Sequence, residues 1–161
     1  ETKIADGIII YEERNIESIF LGKIENGVQQ RNRTTDSWET VIEEFSMPMR
    51  MGDSFTWPYT QDEYLDKIAH SRFGLCLAEI ELMGLGVVPL ITPHVCTNYF
   101  EPLIEGQHFL RVTSAEDVKS VIESCPKPRW QYISHNCREW YERNCSRKGS
   151  FEITRRIASD E

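Results

Sequence analysis

The sequence has no apolar run approaching the roughly 18 residues that a membrane-crossing helix needs, so no span is expected within it. Positive charge is scarce: 18 Lys and Arg stand against 26 Asp and Glu, a formal net charge of −8. Proteins that grip nucleic acid or a membrane surface by charge depend on clustered cations, so neither is an expected partner. The common phosphate fingerprints, Gly-x-Gly-x-x-Gly and the Walker loop, are missing. So are the Gly-x-Ser-x-Gly elbow and His-Glu-x-x-His, and no local nucleophile–base set stands out. Cysteines at 76, 96, 125, 137 and 145 form no Cys-x-x-Cys, and His70, His94, His108 and His135 are scattered. No metal site and no cofactor is therefore expected. Cys125 with Cys137 or with Cys145 is a candidate bridge only in an oxidising compartment, and Cys76, inside an apolar run, reads as core.

What remains is an ordinary globular composition in 161 residues, enough for one domain with a sizeable core. No leader is legible, and the chain opens on Glu1, so a single domain over 1–161 within a longer protein is the expectation. A cytoplasmic setting is favoured over a Golgi or other lumenal one. The sequons at Asn32 and Asn144 matter only in the lumen.

Hydrophobic spacing divides the chain. Gly7–Tyr11 is a short strand or extended entry, and Ile16–Leu21 is a strand ending at Gly22. A polar stretch, Lys23–Ser37, precedes apolar residues at 38, 41, 42 and 45, the spacing of a helix that Asp36 or Ser37 can cap. Residues 46–59 read as loop. Thr60-Gln61-Asp62-Glu63 is a capping box opening a helix to about Ser71. Phe73–Leu77 is a buried strand, Glu79–Leu85 a short helix and Val87–Thr92 a second buried strand stopped by Pro93. His108–Val112 is a further strand. Ser114–Asp117 caps a helix to about Ser124, after which Pro126 and Pro128 break the chain. Trp130–Asn144 has helical spacing, and Phe151–Ile157 is a last amphipathic helix. Strands that are continuous apolar runs, alternating with helices, belong to a parallel sheet covered on both faces. The expected fold is α/β, a doubly wound, mainly parallel sheet flanked by helices, with ligands beyond the carboxyl ends of the strands.

Those ends supply the candidate site. Gly22 lets a ligand approach the backbone closely, and Lys23, Arg31 and Arg33 just beyond it read either as a clamp for a diphosphate or as ordinary surface charge. Glu79 and Glu81 open a helix, where the macrodipole favours acids. A carboxylate there also suits a ribose diol. Two residues apart, the pair cannot share one helical face. Thr92 and His94 end the next strand, and His94 is either a donor to phosphate or sugar or a plain loop histidine. Phe55, Trp57 and Tyr59 either stack a base or cover a core edge. Trp38, Trp130 and Trp140 sit at core spacing.

The stretch "EIELMGLGVVPLIT" resembles the Glu-Ala-Met-Ala-x-Gly-x-Pro-Val motif of glycosyltransferases with the two-lobed GT-B fold, with Glu81, Gly86, Pro89 and Leu90 as the matching residues. With "SRFGLCL" and "EGQHFLRV" the likeness extends over roughly residues 11–157 and is similar to the exostosin-like members. The resemblance implies a Rossmann-like carboxyl-terminal lobe that binds a UDP- or GDP-linked sugar as substrate and passes the sugar to a glycan or other hydroxyl acceptor. It implies that Glu81 holds the ribose hydroxyls and that Gly22, Lys23 and Arg31 or Arg33 meet the diphosphate, without metal. It also implies an amino-terminal lobe, for which 161 residues leave no room. A Gly-rich basic loop is usual before the Glu-bearing helix, where Leu77 here runs straight into Ala78-Glu79. The alternative is a non-catalytic nucleotide- or sugar-binding, or assembly, module of the same α/β class.

Overall fold

The computed structural model describes residues 9–19, 24–25, 28–29, 60–75, 79–93, 97–113 and 115–159. The helix expected over Trp38–Phe45, the aromatics Phe55, Trp57 and Tyr59, and Cys76 and Cys96 lie outside them.

Four parallel strands form the sheet: β1 (Ile16–Ile19), β4 (Ser71–Leu75), β5 (Val88–Ile91) and β6 (Leu110–Arg111), neighbours in that order. β2 (Ile24–Glu25) and β3 (Val28–Gln29) make a separate antiparallel pair. The helices are α1 (Gln61–Ala69), α2 (Glu79–Gly84), α3 (Ala115–Glu123), α4 (Lys127–Asn144) and α5 (Arg147–Ser159). The expected α/β fold, a parallel sheet flanked by helices, is what the chain adopts. Among the described strands the spatial order follows the chain order without reversal, so these four form no crevice of the kind that an order reversal creates.

Register puts Phe73 beside Val88, and Leu75 beside Leu90, which in turn neighbours Leu110. These side chains join Met83, Phe109, Val118, Trp130, Ile133, Cys137 and Trp140 in one apolar core, while Ile19, Ile68, Leu82 and Val87 form a second. Two cores are what a sheet with helices about it requires, because each strand sends alternate side chains to opposite faces. Gly74 lets α2 approach closely: a Cβ there would stand 2.5 Å from the Leu82 side chain.

α1 begins as its sequence dictates. The Thr60 hydroxyl accepts from the Glu63 N–H at 3.3 Å, and the Glu63 carboxylate accepts from the Thr60 N–H at 2.8 Å. Those contacts hold the Glu63 carboxyl below its ordinary range, the backbone bond to Thr60 foremost.

α4 runs across the amino-terminal ends of the strands. The Trp130 indole N–H donates to the Arg72 carbonyl at the start of β4 (2.8 Å), and the Ser134 hydroxyl to the Gly86 carbonyl before β5 (2.6 Å). The Cys137 thiol donates to the His108 carbonyl before β6 (2.8 Å). At about 1.5 Å of rise per residue these three positions cover roughly 10 Å of helix, close to the width of three strands spaced about 4.8 Å apart. One helical face thus matches the pitch of the sheet. Burial of Trp130, Ile133 and Trp140, each at most 3% exposed, contributes about 1.5–3 kcal/mol per side chain.

Arg14 fastens the same edge. It is fully buried, and its guanidinium donates to three carbonyls, Ile9 (3.0 Å), Ser71 (2.7 Å) and Leu85 (2.8 Å). Burial, reinforced by nearby Arg138, pulls its pKa down to about 10, so it stays charged at neutral pH.

Several boundaries differ from expectation. Ile10 is extended, but Tyr11–Glu13 forms a 3-10 turn rather than strand. Pro128 does not break the chain. α4 already starts at Lys127 with Pro126 as its cap residue, because the first helical turn has no N–H to lose. β4 starts at Ser71, displacing the end of α1 to Ala69, and β6 is shorter than His108–Val112. The β2–β3 pair sits in what read as plain polar sequence. Cys125, Cys137 and Cys145 are free thiols, so neither candidate bridge forms.

Candidate functional site

With α4 across the amino ends, a ligand approaching along the strand axes meets the opposite edge, where β4, β5 and β6 end at Leu75, Ile91 and Arg111. Of the residues expected there, Gly22, Lys23, Arg31, Arg33 and His94 lie outside the described residues. Glu79 is the first residue of α2, and its side chain is likewise outside.

Glu81 and Thr92 are placed, each at a different element. Glu81 is exposed on the first turn of α2 and accepts a 2.5 Å hydrogen bond from the Tyr64 hydroxyl of α1. Its immediate neighbours Leu82 and Met83 are 2% and 0% exposed, so the helix turns its apolar side inward and Glu81 outward. Thr92 is buried, 3% exposed, directly after β5, and its carbonyl accepts from Arg111 at 3.2 Å. Arg111, the last residue of β6, also pairs with Glu105 at 3.5 Å and lies over the Phe109 ring. The Thr113 N–H donates to the Asp117 carboxylate at 2.9 Å, fastening the exit of β6 to α3.

The downstream residues of the motif have structural reasons. Gly86 has φ +70°, a conformation costly for side-chain-bearing residues, and a Cβ there would crowd Ser134, Arg138 and Arg14 at 3.1–3.2 Å. Pro89 and Leu90 lie inside buried β5. Packing does not account for an acid at 81, whose only described bond is to a hydroxyl on a neighbouring helix.

One residue escaped the sequence reading. Tyr64 stood among the apolar positions of α1, yet its hydroxyl meets Glu81; an aromatic with a polar tip on an otherwise apolar face was the available signal.

A concavity of about 700 Å³ lies away from the strand ends, between the Phe100–Pro102 segment and the α4–α5 junction, with Arg143, Lys148, Ile153 and Arg156 among its walls. None of the expected site residues lines it. Beside it the Glu101 carboxylate takes hydrogen bonds from Arg143 (2.6 and 3.3 Å) and Asn144 (2.8 Å). The Arg143 contact holds the Glu101 carboxyl below its usual range and raises the Arg143 pKa in return.

No helix among the described residues is long and apolar enough to cross a membrane, and no group of three His, Cys, Asp or Glu among them is placed to hold a metal ion. Comparison with protein-family models, with curated proteins and with solved structures finds no match.

Proposed function

We propose that this chain is the donor-binding lobe of a GT-B-like glycosyltransferase: it takes up a UDP- or GDP-sugar at the carboxyl edge of its parallel sheet, and the sugar passes to a hydroxyl acceptor. The observation that carries the reading is Glu81, an exposed carboxylate in the first turn of the helix that follows β4, five residues before Gly86 as in the motif the sequence resembles. A carboxylate there accepts two hydroxyls of a ribose diol without needing a metal. The occupied amino edge supports the same side for the ligand. Lys23, Arg31 and Arg33 would neutralise the diphosphate, and His94 would be a secondary contact.

The reading of a non-catalytic α/β module draws on one fact of its own. The Tyr64 bond gives Glu81 a structural use with no ligand. Calorimetric titration with UDP and GDP separates the two. The glycosyltransferase reading expects micromolar binding of one nucleotide, weakened about tenfold or more in Glu81→Ala, the loss of roughly 1.4 kcal/mol or more. Tyr64→Phe, which removes the hydroxyl and leaves the carboxylate, should still bind. A folded chain that binds neither nucleotide would overturn the proposal in favour of the module.

A further inference from the structure

The connection from β5 to β6 carries no helix among its described residues. It is held instead by a compact turn over residues 104–109. The Ile104 carbonyl accepts from Gln107 and His108 N–H groups at 3.1 and 2.9 Å, and the Phe109 carbonyl from Gly106 N–H at 2.8 Å, with Gly106 at φ +78°. One side chain closes this turn. His108, 6% exposed, accepts the Ile104 N–H on Nδ1 at 2.9 Å.

That bond fixes the protonation state. A backbone N–H can only donate, so Nδ1 carries a lone pair and the neutral ring holds its proton on Nε2. An imidazolium has N–H groups on both nitrogens. At Nδ1 it would set a donor against the Ile104 donor, removing the bond and leaving a part-buried amide without its partner.

We propose that His108 is an acid-released latch on the β5–β6 connection: proton uptake at Nδ1 breaks its bond to Ile104 and opens the turn over residues 104–109, next to the Phe100–Pro102 wall of the concavity.

The surroundings favour a latch rather than a permanent brace. The Ile104 side chain is already 50% exposed, so opening of the turn costs it little apolar burial, while Leu103, 6% exposed, keeps the preceding segment in the core. The preceding segment stays tied to α4 by the Trp140 indole bond to the Glu101 carbonyl at 2.9 Å and by the bonds from Arg143 and Asn144 to the Glu101 carboxylate. The charged groups facing His108 are Glu101 in its own segment and Arg143 from α4. Glu101 draws the ring toward its charged form, Arg143 opposes this, and burial opposes it most, so the ring titrates below the ordinary histidine range. The neutral, latched form therefore dominates near neutral pH, and release comes in mild acid.

The test is amide exchange on the intact chain at about pH 7.5 and at about pH 4.5, well below the ordinary histidine value, corrected for intrinsic rates. Ile104 should lose protection roughly tenfold or more at the lower pH, while amides of β4 and β5 keep theirs. In His108→Asn the amide oxygen stands about where Nδ1 does and accepts the same N–H but does not titrate, so the Ile104 amide should become indifferent to pH. A wild-type amide equally protected at both values overturns the latch. So does an equal acid loss in His108→Asn, which would place the sensitivity in another group. Nitrogen NMR of the His108 ring is independent of the variant's folding. Nδ1 should report an unprotonated acceptor at neutral pH and lose that signature in step with the Ile104 protection; a ring with Nδ1 protonated at neutral pH would also overturn the proposal.

Discussion

The Arg14 guanidinium lies over the Trp130 ring, its carbon 5.1 Å from the ring centre. The pair joins the entry to β1 with the start of α4, and Arg14 adds the carbonyls of Ser71 and Leu85 to the same junction. Arg14→Met keeps much of the volume and removes every donor, leaving those carbonyls without their partner. We expect a loss of about 3 kcal/mol, smaller than the sum for three separate groups because some relax to water. Arg14→Lys, with one point charge in place of a fork, should lose less than Met and more than nothing. Urea midpoints with unchanged slopes decide it.

Ser134→Ala should cost about 1–2 kcal/mol, since the buried Gly86 carbonyl loses the hydroxyl 2.6 Å away. The measurement is equilibrium unfolding. A change within error would mean that water replaces the hydroxyl and that α4 is held there by its apolar face alone.

Gly149 and Gly84 should respond differently to alanine. A Cβ at Gly149 would lie 2.4 Å from the Glu142 carbonyl oxygen and 2.5 Å from the Arg143 carbonyl carbon, backbone that cannot turn aside. Gly149→Ala is expected to lose about 1–3 kcal/mol, with faster amide exchange in α5. At Gly84 the nearest atoms belong to the Tyr141 ring at 3.0 Å, a side chain with some freedom, so Gly84→Ala should stay within about 1 kcal/mol of the parent.

The Glu101–Arg143 contact should show in acid. The carboxyl is held below its ordinary value in the folded chain, so its contribution is present above the unfolded glutamate range and is lost as pH falls from there toward the lowered native value. Both side chains are substantially exposed, 38% and 51%, which limits the effect to under about 1 kcal/mol. Urea midpoints of the parent and Glu101→Gln should differ near pH 7 and draw together as pH falls below the ordinary glutamate range. A constant difference would show that packing, not charge, is what the glutamine alters.

Much of this fold is written in local sequence. Thr60 and Glu63 announce α1, and the apolar runs at Phe73–Leu75 and Val88–Ile91 announce parallel strands even though Pro89 stands in a central one, where proline is unusual. The hairpin was equally legible. Asn26-Gly27 between two short segments is a strong two-residue turn signal, lost in the polarity around it. What local sequence does not contain is the direction of α4. Its periodicity gives a buried face, but only the positions of Arg72, Gly86 and His108 in space show that this face spans the strand entrances. The site was legible as a strand end with an acid. The Tyr64–Glu81 bond was not, because it joins residues on separate helices through side-chain tips that no spacing rule reports.

The long helix also bears on the order in which the molecule is made. Its three bonds to the strand entrances join residues 58, 48 and 29 positions apart. A chain emerging amino end first forms β4 and β5 well before Trp130, Ser134 and Cys137 leave the ribosome. Until they do, the Arg72, Gly86 and His108 carbonyls face water, and the core that Trp130, Ile133 and Trp140 complete has no lid. Closure of these distant loops, rather than formation of any one element, is the step expected to slow folding. A nascent chain stalled short of α4 should be the species that proteases and chaperones meet.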